Sequence, residues 1–199
     1  MNTELQKWIK KIEINNKENK SYTLSEVDNI ADELLGVFGY RDKNKYIPVI
    51  KIVNELGFKT YKSRLDDGLS GYIYVNGETE KVYKRDKVIM VNEIDEIRHQ
   101  RFVIAHELAH YLFDFLGNKD YANPKVQYSD TYHKNDHDRY NEKIANRFAT
   151  ELLMPKNIFI RQYYKAKECD RNPIFIVAYL SRFFGTTEES INKRIAEII

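Results

Sequence analysis

Two histidines four residues apart, His106 and His110, lie in a segment free of glycine and proline, and this segment constrains the fold more than any other. A helix over Arg101–Phe113 would place both imidazoles on one face, where they can bind a single metal ion. Glu107, between them, could act as general base toward water that the metal acidifies. The pattern therefore predicts a helix carrying two zinc ligands and a catalytic residue. A catalytic zinc needs a third protein ligand.

The alternative interpretation is that both histidines are ordinary surface residues of an amphipathic helix. They share a stripe at helical spacing with Phe102, Ala105, Ala109 and Phe113. Imidazoles on an apolar stripe cost free energy unless they have a polar partner or a metal. The position of the histidines therefore favours a metal site.

A second helix, predicted over 142–155 and ended by Pro155, contains the candidate third ligand. Glu142 lies in its first turn, and Asn146 follows one turn later on the same side. A site of the gluzincin type takes its third ligand from such a downstream glutamate. Asn146 would then hold the free ring nitrogen of one histidine and fix its tautomer. We therefore expect His106, His110 and Glu142 to bind zinc.

Other interpretations of these positions remain open. Glu142 could simply complement the dipole at a helix N-terminus, and His133 or His137 could replace it as third ligand. A metzincin site, in contrast, is excluded, because Phe113 and Leu116 stand where that class has glycine and histidine.

The two predicted site helices together resemble the ImmA/IrrE family of metallopeptidases. Arg101–His110 fits the family pattern R-F-x-x-A-H-E-x-x-H, and Glu142–Pro155 fits E-x-E-A-N-x-F-A-x-x-L-L-M-P. One position departs from it, since Ile144 replaces a second acidic residue. Glu142 is therefore the local carboxylate left to serve as ligand.

The resemblance implies a function that the residues alone do not show. It implies a zinc-dependent endopeptidase that acts as an anti-repressor, cutting a helix–turn–helix transcriptional repressor of a mobile element or stress response. The rival interpretation is a non-catalytic regulatory module or toxin–antitoxin partner that docks to a repressor or to DNA. The intact Glu107 argues against that rival, because a purely structural zinc site needs no base.

Composition limits the remaining classes of function. With 199 residues and 42% hydrophobic content the chain can bury one substantial core. A net charge of +2 gives no electrostatic reason to expect direct DNA binding. A single cysteine, Cys169, excludes internal disulfides and fits the cytoplasm. The longest apolar stretch, 174–180, is too short to span a membrane.

The pattern along the chain predicts an α+β fold, mostly helical and zincin-like, with a small antiparallel sheet before the histidine helix. Residues 1–45 form a helical extension, with a helix over 5–13 and another, capped by Thr23 or Ser25, ending near Gly36. Residues 46–199 form the metallopeptidase domain. Predicted strands at 58–63, 71–75, 79–83 and 87–92 follow a helix at 48–56, and Asn76-Gly77 would turn the central pair into a hairpin. An edge of the sheet could bind a substrate peptide by strand addition.

Two further segments carry weaker signals. The connection 117–141 is polar and aperiodic, which suggests a lid, and it holds four candidate oxyanion or substrate contacts: Tyr128, Tyr132, His133 and His137. Residues 174–199 have helix–turn–helix rhythm. Glu188 and Glu189 would oppose phosphate at the start of the second helix, so we expect this segment to pack beneath the site helices.

Overall fold

A computed structural model describes residues 3–18, 20–43, 46–66, 68–75, 87–117, 125–128 and 136–199, with the backbone alone for 125–128 and 136–138. The elements along these residues are α1 (Thr3–Lys17), α2 (Leu24–Val37), α3 (Val49–Glu55), β1 (Lys59–Ser63), β2 (Gly71–Val75), β3 (Lys87–Asn92), α4 (Ile97–His110), a π-helical turn (Tyr111–Phe115), β4 (Lys125–Tyr128), α5 (Asp136–Leu153), α6 (Lys156–Cys169), α7 (Pro173–Phe184) and α8 (Glu188–Ile198). The α+β, mostly helical fold class is confirmed.

The sequence predicts the start of α2 correctly but not the end of α1, where a tertiary contact adds to local helix propensity. Thr23 caps α2 in a capping box with Glu26, as predicted. Helix α1, however, continues to Lys17, beyond the predicted end at Glu13. The polar residues near its end have low helix propensity, but Asn16 makes hydrogen bonds to a distant segment that propensity does not include.

The four strands form one sheet in the order β1-β3-β2-β4. The sheet is mixed rather than purely antiparallel, because β1 pairs with β3 in parallel while β2 is antiparallel to both β3 and β4. Strand β4 also corrects the prediction of an aperiodic connection over 117–141. The predicted hairpin partner of β2, residues 79–83, and its turn at 76–77 lie outside the described residues.

The sheet packs directly on α4, the helix that carries His106 and His110. Gly71 of β2 lies so close to α4 that a Cβ atom there would meet Val103 Cγ1 at 2.4 Å. Val103 and Leu108 of α4 and Phe148 of α5 are fully buried. The same apolar cluster includes Trp8 of α1, so the N-terminal helices and the site helices share one core.

Buried arginines join the C-terminal helices to the two site helices. Arg101 of α4 donates from Nε to the carbonyl of Gly185, the residue that ends α7, at 2.9 Å. Arg194 of α8 contacts the Glu151 carboxylate of α5 and donates to Met154 O at 3.0 Å. The helix–turn–helix-like segment thus packs against the site helices, as expected. Within the described residues no helix is both long and apolar enough to cross a membrane.

Candidate metal centre

Helices α4 and α5 bring three side chains with metal-binding atoms to one point. His106 Nε2 lies 3.3 Å from Glu142 Oε2, and His110 Nε2 lies 3.3 Å from Glu142 Oε1. The two Nε2 atoms are 2.9 Å apart. Both imidazoles are buried, and Glu142 is 16% exposed. These three residues could hold a metal ion.

The donor set fits zinc in spacing and in chemistry. Atoms held tetrahedrally at the usual Zn–N and Zn–O distances lie about 3.3 Å from one another, close to the separations between Glu142 and the imidazoles. Two neutral imidazoles and a carboxylate make up the ligand set of a well-known class of catalytic zinc sites. Glu142 Oε2, although buried, has no hydrogen-bond partner among the residues that the structure describes. A cation at this point would satisfy it.

Each histidine is oriented by an oxygen behind its ring. His106 Nδ1 donates to Asn146 Oδ1 at 3.1 Å, the contact that the sequence predicts. His110 Nδ1 donates to Asp114 Oδ2 at 2.6 Å. Because both Nδ1 atoms serve as donors, the two Nε2 atoms are left to face a metal. The role of Asp114 was missed from the sequence, although an acidic residue four positions after His110 was the available signal.

Glu142 differs from the prediction in its place on the helix. Helix α5 begins at Asp136, so Glu142 lies in the second turn instead of the first. The added residues are polar and show no apolar periodicity, which is why the pattern did not extend to them. Dipole compensation falls off within the first turn, so that alternative explanation of Glu142 loses its basis.

Glu107 is the buried carboxylate beside this cluster. Burial, with smaller contributions from the charges of Glu142 and Asp114, raises the pKa of Glu107 to about 8, although His110 opposes the shift. Neither carboxylate oxygen has a hydrogen-bond partner in the described part of the chain. An unpaired carboxylate in such a position is costly to bury, and a pKa near neutrality is the property expected of a general base.

The three candidate ligands also have shifted pKa values. Burial lowers the pKa of His106 to about 4. Burial also acts to lower the pKa of His110, but hydrogen bonds to Asp114 and Glu142 raise it to about 10. The pKa of Glu142 is lowered, because its close contacts with the two histidines outweigh the effect of burial. Without a cation, His110 therefore carries the charge that balances Glu142.

The described part of the structure does not show where the side chains of the four candidate oxyanion or substrate contacts lie relative to the candidate metal ligands. The backbone of Tyr128 lies in β4 opposite Gly71, and His137 lies in the first turn of α5, but the side chains of both are outside the described part. Tyr132 and His133 lie outside it entirely. Their roles stay predictions, and so does the alternative of a third ligand from His133 or His137.

A groove beside the cluster was not predicted from the sequence. It has a volume of about 380 Å³ and is lined by Phe102 of α4, by Asn146 and Thr150 of α5, and by Ser190 and Lys193 of α8. Asn146 lines the groove and also contacts His106 Nδ1, on the side of the ring away from Nε2, and neither Glu107 nor any of the three candidate ligands is among the residues that line the groove.

Comparisons with known proteins identify the fold and the family of this chain. A Mycobacterium tuberculosis transcriptional regulator of known structure matches 95% of this chain with a TM-score of 0.56 and 17% identity. At that identity the likeness shows the fold alone, and this chain spans 51% of the length of the regulator. No curated protein matches the chain. The family model of the IrrE N-terminal-like domain matches residues 53–196. This match covers well over half of the sequence and includes both site helices, and so the chain belongs to the ImmA/IrrE family of peptidases.

Proposed function

We propose that this protein is a zinc-dependent endopeptidase with His106, His110 and Glu142 as ligands and Glu107 as the catalytic residue. The observation that carries the proposal is the Glu107 carboxylate, fully buried beside the three donor atoms and without a hydrogen-bond partner among the described residues. A purely structural metal site gains nothing from an unpaired buried carboxylate, whereas a hydrolytic site needs a base.

The roles of the residues follow from their positions. When bound, zinc supplies a Lewis acid that acidifies water and polarises the scissile carbonyl. Glu107 accepts a proton from the attacking water as the new C–O bond forms. It then gives this proton to the leaving nitrogen as the C–N bond breaks. Asn146 and Asp114 keep both imidazoles in the tautomer whose Nε2 carries no hydrogen and can bind a metal.

We propose the groove beside Asn146 as a place for a substrate residue away from the scissile bond, because neither the metal ligands nor Glu107 line it. Its walls are partly apolar, with Phe102 and Met154, and partly polar, with Thr150 and Ser190. A side chain of moderate size fits its volume of about 380 Å³. Tyr128, Tyr132, His133 and His137 remain the candidates for contacts with the oxyanion or the substrate.

We propose a helix–turn–helix transcriptional repressor as the substrate, cut in the cytoplasm to derepress genes of a mobile element or stress response. Membership of the ImmA/IrrE family supports this choice, and the solved structure of similar fold is itself that of a transcriptional regulator. We propose no direct contact with DNA, because the first turn of α8 carries Glu188 and Glu189.

Glu107→Gln separates this proposal from a non-catalytic docking module. The variant keeps the size and shape of the side chain but cannot accept a proton, so cleavage should fall by about 10²–10⁴-fold while zinc content stays at the wild-type level. Helix–turn–helix proteins encoded beside this gene would be co-expressed one at a time and followed by intact mass. Glu168→Gln, on the exposed face of α6, is the matched control. If Glu107→Gln still derepresses the target genes fully, the protein acts by docking.

A further inference from the structure

The turn that follows the second histidine has an unusual hydrogen-bond register. Leu116 N donates to Tyr111 O at 2.9 Å, five residues back, instead of to Leu112 O as in an α-helix. Leu112 O therefore loses its usual helical donor. A π-turn is costly unless another group satisfies the carbonyl that it leaves free.

Asn16 of α1 supplies that missing donor. Its Nδ2 donates to Leu112 O at 2.8 Å and to Leu116 O at 2.7 Å. Its Oδ1 accepts from Tyr22 OH at 2.7 Å, which fixes the orientation of the amide. Both donor hydrogens of one side chain are thus used on the two carbonyls at the end of the π-turn.

The same N-terminal segment touches the π-turn at two more points. The Tyr22 ring packs edge-on against Phe113, with centroids 5.0 Å apart. Gly117, at φ +81°, lies so close to α1 that a Cβ atom would meet Glu13 O at 2.8 Å. Helix α1 is therefore fitted closely to this turn.

The π-turn also determines where Asp114 points. Asp114 is the fourth of its five residues, and its carboxylate accepts from His110 Nδ1 at 2.6 Å. A change from π to α register would rotate Asp114 about the helix axis by tens of degrees and move its carboxylate relative to the ring. The orientation of His110 thus depends on a register that Asn16 stabilises.

We propose that α1 is a working part of the metal centre, with Asn16 as a positioning residue that acts on zinc affinity through the π-turn, Asp114 and His110. The inference rests on the metal site of the proposed function. Asn16 lies before residue 53, where the family match begins, whereas the π-turn, Asp114 and His110 lie within the matched domain.

A double-mutant cycle in the full chain tests the inference, with Zn²⁺ alone as ligand and chelator competition as readout. Asn16→Leu should weaken zinc binding about 10-fold and Asp114→Ala by about 10–100-fold, as expected for partners behind a metal ligand. If Asn16 acts through Asp114, the double variant should bind zinc no more weakly than Asp114→Ala alone. Wild-type affinity in Asn16→Leu, or two losses that multiply, would overturn the inference.

Two further variants separate positioning from general loss of stability. Leu5→Ala removes a buried side chain from the same helix, about 16 Å along its axis from Asn16, and should lower the unfolding midpoint without changing zinc affinity. Equal weakening of zinc binding in Leu5→Ala would refute a specific role for Asn16.

Tyr22→Phe removes only the hydroxyl that orients Asn16 and retains the buried ring. It is therefore the variant to measure if Asn16→Leu does not fold. It should weaken zinc binding about threefold, and no change in a folded Tyr22→Phe variant would also refute the role.

The visible spectrum of the Co²⁺-loaded protein gives a second readout. It should change in Asn16→Leu, because the orientation of His110 changes, and stay as in the wild type in Leu5→Ala. Because all these measurements use metal without substrate, they do not depend on peptidase activity. A wild-type protein that binds zinc but cuts no repressor would refute the proposed function and leave the role of Asn16 standing.

Discussion

Glu142 reaches both imidazole Nε2 atoms at 3.3 Å, and Glu142→Ala is therefore the most direct test of the metal centre. A ligand that binds only the folded protein stabilises it by about 2.7 kcal/mol at a free concentration of 100 times Kd. For a chain of this size, each kcal/mol shifts the unfolding midpoint by about 2–4 °C. Zinc should therefore raise the midpoint of the wild-type protein by about 5–11 °C.

The variant keeps only the two imidazoles as ligands. Loss of a direct ligand should reduce affinity at least about 100-fold, the upper end of what loss of an outer partner costs. At the same zinc concentration the stabilisation then falls to about 0.4 kcal/mol, and the shift falls to about 1–2 °C. The expected result is thus a melting curve almost independent of zinc.

Differential scanning fluorimetry with and without chelator measures both shifts, and metal content after gel filtration provides an independent check. Glu168→Ala, which removes an exposed carboxylate on α6, should keep the full wild-type shift. If Glu142→Ala also keeps the full shift and full zinc content, the third ligand comes from another residue, and His133 and His137 become the candidates.

Two further predictions follow from the charges of the site and its supports. Zinc affinity should rise by up to about tenfold per pH unit between about pH 6 and 8, because zinc must displace a proton from His110. Calorimetry in buffers of different ionisation enthalpy should show that proton release. The sign follows from the pKa of His110, which is raised to about 10 by Asp114 and Glu142 against the effect of burial, and a flat profile would contradict it. Glu151→Ala should destabilise the fold by about 3 kcal/mol in urea unfolding, the lower end of the loss for a broken buried pair, because it leaves the fully buried guanidinium of Arg194 with only the partly exposed Glu197 as carboxylate partner. Glu189→Ala removes a carboxylate from an exposed ion pair of α8, the helix of Arg194, and should change the free energy of unfolding little.

The parts of the site that lie on regular helices could be predicted from the sequence. His106, Glu107 and His110 follow from helical periodicity, and Asn146 follows Glu142 at the spacing of one turn. The structure brings the two histidines and Glu142 within ligand distance of one another. The sequence alone could not choose between Glu142 and the histidines of the 117–141 connection, because that choice depends on how two distant helices pack.

The contact of Asp114 with His110 depends on a feature that leaves little trace in composition. The segment Tyr111–Phe115 would fit an α-helix equally well, and in its π register Asn16 donates to Leu112 O and Leu116 O. Asn16 is 96 residues away from Leu112 in the chain. Periodicity describes residues within one element, so it cannot report a contact of this kind.

The sheet shows the same limit. The strands β2 and β3 match their predicted positions, but an antiparallel sheet was expected and β1 pairs with β3 in parallel. Alternation of apolar residues predicts that a strand exists and which face it buries. It does not predict which neighbour the strand takes, since that depends on the path of the chain between strands.

Hydrogen bonds and ion pairs connect the two site helices, α4 and α5, to helices from both ends of the chain. On one side, Arg101 and Glu151 hold α4 and α5 to the C-terminal helices through Gly185 and Arg194. On the other side, Arg147 of α5 donates to both oxygens of Asp28 in α2 at 2.5 Å, while Asn16 of α1 holds the end of the helix that begins with α4. Each site helix is thus fixed from both ends of the chain by directional contacts. Metal ligands must be held to within about half an ångström, and apolar packing alone sets helix position less tightly than such contacts. The N-terminal helices, although outside the matched family region, therefore belong to the structure that holds the three candidate ligands together.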